Sequence, residues 1–136
     1  MLRRKYQPVD LSDQARLRRR ILLIDDDPDA ALFATHVLTT RGQCDVTHAA
    51  DAAAGLRAAA AGRWDLVLTE VAVRGLTGTE LLHALRRLAP ALPIVILTAH
   101  MPAEATAAEL RSHADAFLSK PVRIDCLIAT VITLTG

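Results

Sequence analysis

Four polar groups in this 136-residue sequence carry residue types that could do chemistry together: Asp25-Asp26-Asp27, Thr69-Glu70, Thr98 and Ser119-Lys120-Pro121. Each follows directly on a short apolar run, respectively Ile21-Leu22-Leu23-Ile24, Leu66-Val67-Leu68, Ile94-Val95-Ile96-Leu97 and Phe117-Leu118. Carboxylates gathered in a dry crevice repel one another, so they must be protonated or balanced by cations. Asp25, Asp26 and Glu70 are the hard oxygen donors that Mg²⁺ takes while it keeps several waters. Lys120 supplies a second balancing charge. The only other lysine is Lys5, and the remaining basic residues after Arg20 are arginines. A compact ammonium thus stands where a point charge, not a planar fork, is wanted. The plainer alternative for the aspartates is an acidic cap on the helix that follows, favoured by its dipole. Asp27 and Asp29 are assigned to that capping role.

The elements that must position these groups are legible in the apolar pattern. Strands are predicted at Arg20 to Asp25, Cys44 to His48, Asp65 to Glu70, Pro93 to Thr98 and Ala114 to Ser119. Helices are predicted at Pro28 to Thr40, Ala52 to Ala61, Gly78 to Leu88, Ala103 to His113 and Arg123 to Leu134. Strands alternating with helical segments signify a parallel sheet covered by helices. ILLID, LVLTE and IVILT are apolar on both parities, as strands buried on both faces must be, so the first, third and fourth strands form the middle. Pro28 suits a first helical turn, Asp51 a helix cap, and Gly42 and Gly62 helix stops. In such a sheet, ligands bind beyond the carboxyl ends of the strands, where the four polar groups stand.

Composition agrees with one globular domain: 51% of residues are hydrophobic and 23% charged. No apolar run approaches the roughly 20 residues that span a bilayer, and no secretory signal pattern opens the chain, so a cytoplasmic location is expected. Cys44 and Cys126 are read as separate reduced thiols. Residues 1 to 20 hold seven Lys/Arg and two Asp, while the rest holds nine basic and thirteen acidic residues. We therefore divide the chain into a basic N-terminal extension, 1–19, and a folded body, 20–136. Ser12 or Asp10 could cap a short helix through Arg20 in the extension. A solvated leader is favoured there over nucleic-acid binding. Trp64 is expected to pack partly buried, Arg86-Arg87 to form the wet face of the third helix, and the five histidines show no metal-ligand spacing. His100, after the fourth strand, is the histidine placed nearest the crevice.

From about Arg20 to Leu134 the sequence resembles the receiver domain of two-component response regulators. The resemblance rests on ILLIDDDP, DLVLTEVAVRGLTG, PIVILTAH and DAFLSKP, in order and suitably separated. It implies an α/β, flavodoxin-like, doubly wound five-stranded parallel sheet in the order 2-1-3-4-5, with helices on both faces. It also implies metal binding by Asp25 and Asp26 and by the backbone carbonyl of Ala72, with Glu70 a further metal ligand and Mg²⁺ the cofactor. Thr98 falls on the hydroxyl that bonds the phosphoryl group, Lys120 on its lysine partner and Phe117 on the aromatic switch. Gly78 falls on the glycine opening the third helix, and Lys120-Pro121 on a peptide commonly cis. Glu70 falls on the phosphoacceptor position, where the family has aspartate. Arg74 replaces a usual proline, and His113 a glycine that often ends the fourth helix.

Phosphoryl transfer onto a carboxylate depends on in-line geometry. One extra methylene moves the carboxylate by about 1.5 Å, and a misplacement of about 1 Å can cost roughly a hundredfold in rate. No useful phosphorylation at Glu70 is expected. Its charge instead points toward Lys120 and Thr98, either as a partial phosphate mimic or as a plain ion pair with Lys120 that locks the domain. The resemblance places partner contacts, including a homodimer, on the fourth helix, fifth strand and fifth helix. With no output domain after Gly136, action through a separate signalling protein, a histidine kinase or an output protein, is expected. One enzyme reading competes. Asp25-x-Asp27 with Thr98 and Lys120 is also similar to haloacid-dehalogenase-like Mg²⁺-dependent phosphohydrolases, in which Asp25 would be the nucleophile; however, Pro28 leaves no room for their flap, and no acidic pair follows the lysine.

Overall fold

The computed structural model describes residues 18–136. The readings made for residues 1–17, including the caps at Asp10 and Ser12, lie outside the described residues. Arg19 and Arg20, where that helix was expected to end, are strand residues.

Ten elements alternate along the described residues: β1 (Arg19–Ile24), α1 (Pro28–Arg41), β2 (Cys44–Ala49), α2 (Ala52–Ala61), β3 (Leu66–Glu70), α3 (Gly78–Leu88), β4 (Ile94–Thr98), α4 (Glu104–His113), β5 (Ala116–Ser119) and α5 (Ile124–Thr135). All strand pairs are parallel and the order is β2-β1-β3-β4-β5. The predicted boundaries hold or shift by one residue at every end except the start of β5, which moves by two. There Asp115 leaves the strand because its carboxylate accepts from the Ile94 N–H while its own N–H donates to the Ile94 carbonyl.

The double apolarity of the central strands is spent on two cores. Ile21, Leu23, Leu66, Leu68, Val95 and Leu97 pack with Ala34, Leu38, Leu127 and Val131 of α1 and α5. Leu22, Ile24, Val67, Ile94 and Ile96 pack on the other face with Leu81, Leu82, Leu85 and Leu110 of α3 and α4. Successive residues of a strand thus feed opposite layers, the period of two that a strand imposes. Gly55 lets α2 approach β1: a Cβ there would stand 2.6 Å from Ile24 Cδ1.

The helix ends follow the expected side chains with one difference. Asp27 accepts from the Asp29 and Ala30 N–H groups, and Asp51 from the Ala54 N–H. Gly42 and Gly62 do stand at C-terminal caps, but neither takes a left-handed conformation. Beyond Gly42 that role falls to Gln43, with φ of 53°. A reciprocal capping box joins Thr77 and Glu80 at the start of α3. The backbone N–H of Thr77 and its side chain hold the Glu80 carboxyl below its usual pKa.

Candidate functional site

The carboxyl ends of β1 and β3 and the turn after β5 converge on three charged groups. Asp25 follows β1 and is 1% exposed, whereas Glu70 ends β3 and is 8% exposed. Lys120 follows β5 and reaches back between them. Its Nζ donates to Asp25 Oδ2 at 2.7 Å and lies 2.8 Å from Glu70 Oε2. The other oxygen of each carboxylate is also engaged: the Asp27 N–H donates to Asp25 Oδ1 at 2.9 Å, and the Val71 N–H to Glu70 Oε1 at 2.7 Å. One ammonium therefore bridges two buried carboxylates, each held from behind by a backbone amide.

Burial alone would pull the Lys120 pKa down. The hydrogen bonds and charges of Asp25 and Glu70 outweigh it and hold the lysine above its usual value. The Lys120 N–H donates to the Thr98 carbonyl at 2.8 Å, tying the turn after β5 to the end of β4. The Lys120-Pro121 peptide is cis.

Thr98 is buried at the end of β4, but its hydroxyl turns elsewhere. It donates to the His100 carbonyl at 2.9 Å and accepts from the His100 N–H at 3.3 Å. The expected reach of Glu70 thus connects it to Lys120 and not to Thr98, whose short side chain finds nearer partners in its own loop. Asp26 is half-buried beside Asp25, and Ala72 is exposed two residues after Glu70. Phe117 is half-buried on β5 with the Arg111 guanidinium over its ring, 5.2 Å from the centroid. His100 itself is exposed.

The donor set suits a hard divalent cation in its chemistry. Asp25, Asp26 and Glu70 offer carboxylate oxygens and Ala72 a backbone carbonyl, the oxygen-only set that Mg²⁺ takes. Lys120 already supplies part of the charge balance that such an ion would bring.

Two contacts around the site escaped the reading of the sequence. His48 Nε2 lies 2.7 Å from the Asp25 carbonyl, which can only accept, so the ring nitrogen donates and fixes the end of β1 from β2. A hollow of about 490 Å³ also opens beside Lys120, lined by Phe33 and Ala34 of α1 with Leu97, Pro121 and Val122. The spacing of Phe33 with Ala30 and Ala34 on one helix face was its only sequence signal.

Elsewhere, Trp64 is partly buried as expected, donating from Nε1 to the Ala58 carbonyl at 2.9 Å. Arg86 corrects the expected wet face of α3. It donates to the carbonyls of His113 and Leu92 and pairs with Asp115 at 2.8 Å, while Arg87 is exposed. A guanidinium on an apparently polar face is recruited by carbonyls that only the tertiary fold brings near.

A sequence model described as the response regulator receiver domain matches residues 21–132. Among curated proteins, the DNA-binding response regulator MtrA of Mycolicibacterium smegmatis is 36% identical over 115 residues, covering 85% of this chain and 50% of that protein. The chain spans about a quarter to a half of the length of the curated relatives it matches. Among solved structures, the receiver domain of Francisella response regulator 1452 is 30% identical with a TM-score of 0.77, covering 87% of this chain and 97% of that one. A Burkholderia pseudomallei response regulator bearing a phosphorylated aspartic acid, a calcium ion and citrate is 26% identical with a TM-score of 0.74, covering 83% of this chain and 66% of that one. No described helix is long and apolar enough to cross a membrane. The match over almost the whole described body, on a five-stranded sheet in the order 2-1-3-4-5, places this chain in the response regulator receiver domain family of two-component signalling.

Proposed function

We propose that this chain is an atypical receiver in which Glu70 takes the place of the phosphate-accepting aspartate, is not phosphorylated, and leaves the domain as a fixed or strongly biased protein interaction switch. The observation that carries this reading is the Lys120 ammonium shared between Glu70 and Asp25. A phosphoryl group would bring about −1.5 to −2 charges and three acceptor oxygens, against one charge and two oxygens for glutamate. Both Glu70 oxygens are already engaged, and the Thr98 hydroxyl is turned to His100. That pattern favours the fixed form over a phosphate mimic, which would draw Thr98 as well as Lys120.

Asp25, Asp26, Glu70 and the Ala72 carbonyl would hold Mg²⁺. The ion would supply charge balance for the carboxylates and for an incoming anion. Lys120 and the Val71 N–H already engage the two oxygens of Glu70. The related Burkholderia structure, with calcium and a phosphorylated aspartic acid, supports reading this crevice as a metal and phosphoryl site by descent. The half-buried β5 is an edge strand of the sheet, and Ile124 and Ile132 are exposed on α5. This surface, with α4, is the proposed contact for a histidine kinase, an output protein or a second copy. No observation favours the phosphohydrolase alternative, since α1 starts at Pro28 directly after the acidic run.

The test is intact-mass analysis after incubation with acetyl phosphate and Mg²⁺. The native chain should gain no phosphate and Glu70→Asp should gain one, labile at the substituted position. Stable phosphate on Glu70 of the native chain would refute the proposal.

A further inference from the structure

The packing of α3 against α4 gathers three ligand groups that are dispersed in sequence. His83 of α3, with Glu109 and His113 of α4, offers ligand atoms all within 4.8 Å of one another. Glu109 and His113 are four residues apart on one helix and therefore share a face. His83 Nε2 lies 3.5 Å from Glu109 Oε1, and the two imidazoles meet edge to face with centroids 4.9 Å apart. Although it lies near that carboxylate, His83 Nε2 is buried and makes no hydrogen bond among the described residues. Buried polar atoms ordinarily have a partner, so this one is open to a ligand. It faces a carboxylate and a second imidazole, which is the surrounding that a metal ion, acting as acceptor of all three lone pairs, would satisfy.

We propose that His83, Glu109 and His113 form a site for a borderline divalent transition-metal cation, Zn²⁺ foremost. Two imidazoles and one carboxylate, with the fourth position left to water, suit that ion better than Mg²⁺, which prefers an oxygen-only set. Tetrahedral ligands about 2.0–2.2 Å from zinc stand roughly 3.3–3.6 Å from one another. The His83 to Glu109 distance already lies in that range, and His113 closes the remainder by rotation of an exposed side chain. Glu109 and His113 are exposed beside the buried His83 Nε2, so an ion has an entry path from their side. Arg86 holds the backbone at the same point, donating to the His113 carbonyl at 2.6 and 2.9 Å. A bound ion would staple the end of α4 to α3. Because α4 follows the loop in which Thr98 grips His100, zinc would stiffen the helix proposed to meet signalling partners. This site is separate from the Glu70 pocket and stands whether or not Glu70 accepts phosphate.

The test is calorimetric titration of ZnCl₂ into the metal-free native chain, with imidazole ¹⁵N signals followed by NMR. Saturable one-to-one binding at micromolar Zn²⁺ is expected, with His83 and His113 signals shifting together. His83→Ala and His113→Ala should each weaken binding by at least the roughly ten- to hundredfold that loss of a mere supporting group costs. His36→Ala and Cys126→Ser, which alter an exposed histidine and an exposed thiol, should leave it unchanged. The proposal is overturned by absence of saturable binding, by affinity that survives both histidine variants or falls with Cys126→Ser, or by shifts confined to other groups. The native-chain NMR readout needs no variant to fold.

Discussion

The Lys120 ammonium stands 2.8 Å from the Glu70 carboxylate in a crevice where the lysine side chain is 15% and the glutamate side chain 9% exposed. The same nitrogen lies 2.7 Å from Asp25 Oδ2. The pair is therefore one arm of a buried triad of two negative charges and one positive. Breaking a buried pair by removing one partner leaves an uncompensated charge, which costs far more than the pair itself contributes.

Lys120→Met should accordingly destabilise the domain by about 3–5 kcal/mol, read from the urea midpoint at neutral pH. Glu70→Gln leaves Asp25 to hold the lysine and should cost less. Equal losses in the two variants would show that Lys120 gains nothing from serving both carboxylates.

The same triad gives stability an alkaline limb. The folded-state pKa of Lys120 is raised above its ordinary value of 10.5, so its contribution is complete below that value. Above it the unfolded chain gives up the proton first, and the contribution falls away as pH rises through the folded-state pKa. Chemical denaturation of native chain and Lys120→Met across this alkaline window should show their difference in stability shrinking. A difference that stays constant would contradict the assignment.

Gly55→Val tests the approach of α2 to β1. Even the first added carbon would meet Ile24 at 2.6 Å, and overpacking of this kind typically costs about 1–3 kcal/mol. A thermal melt should show the loss with no change in sheet order. A neutral substitution would mean that Ile24 can give way.

Arg86 anchors α3 to the end of α4 and to the loop before β4. Arg86→Ala removes donors from the carbonyls of His113 and Leu92 and a partner from Asp115, and should destabilise by about 1–3 kcal/mol. Arg87→Ala, on an exposed neighbour, should be close to neutral in the same denaturation assay.

The sheet and the triad were legible in the sequence for a shared reason. Leu22, Leu68 and Val95 sit in strands apolar on both parities, a pattern that leaves few folds open, and a parallel sheet sends the polar residues after those strands to one end. Asp25, Glu70 and Lys120 then meet because their strands are neighbours or nearly so. The orientation of Thr98 was not legible, since a hydroxyl chooses between Lys120 and the His100 backbone by loop geometry that no periodicity encodes. Arg86 was misread because its acceptors, the carbonyls of Leu92 and His113, carry no residue-type signal. The cluster of His83, Glu109 and His113 depends on the packing of two helices. Its one local clue was the four-residue spacing of Glu109 and His113.

The central claim, that Glu70 uncouples this receiver from phosphorylation, is tested most directly by NMR of the native chain with beryllofluoride and Mg²⁺. The amides of Thr98 and Phe117 are the reporters, because one residue ends β4 beside the crevice and the other lies on β5. With Lys120 held by Glu70 and Asp25, these amides should not move beyond the effect of Mg²⁺ alone, while Glu70→Asp should move both. Saturable shifts of Thr98 and Phe117 in the native chain would contradict the account.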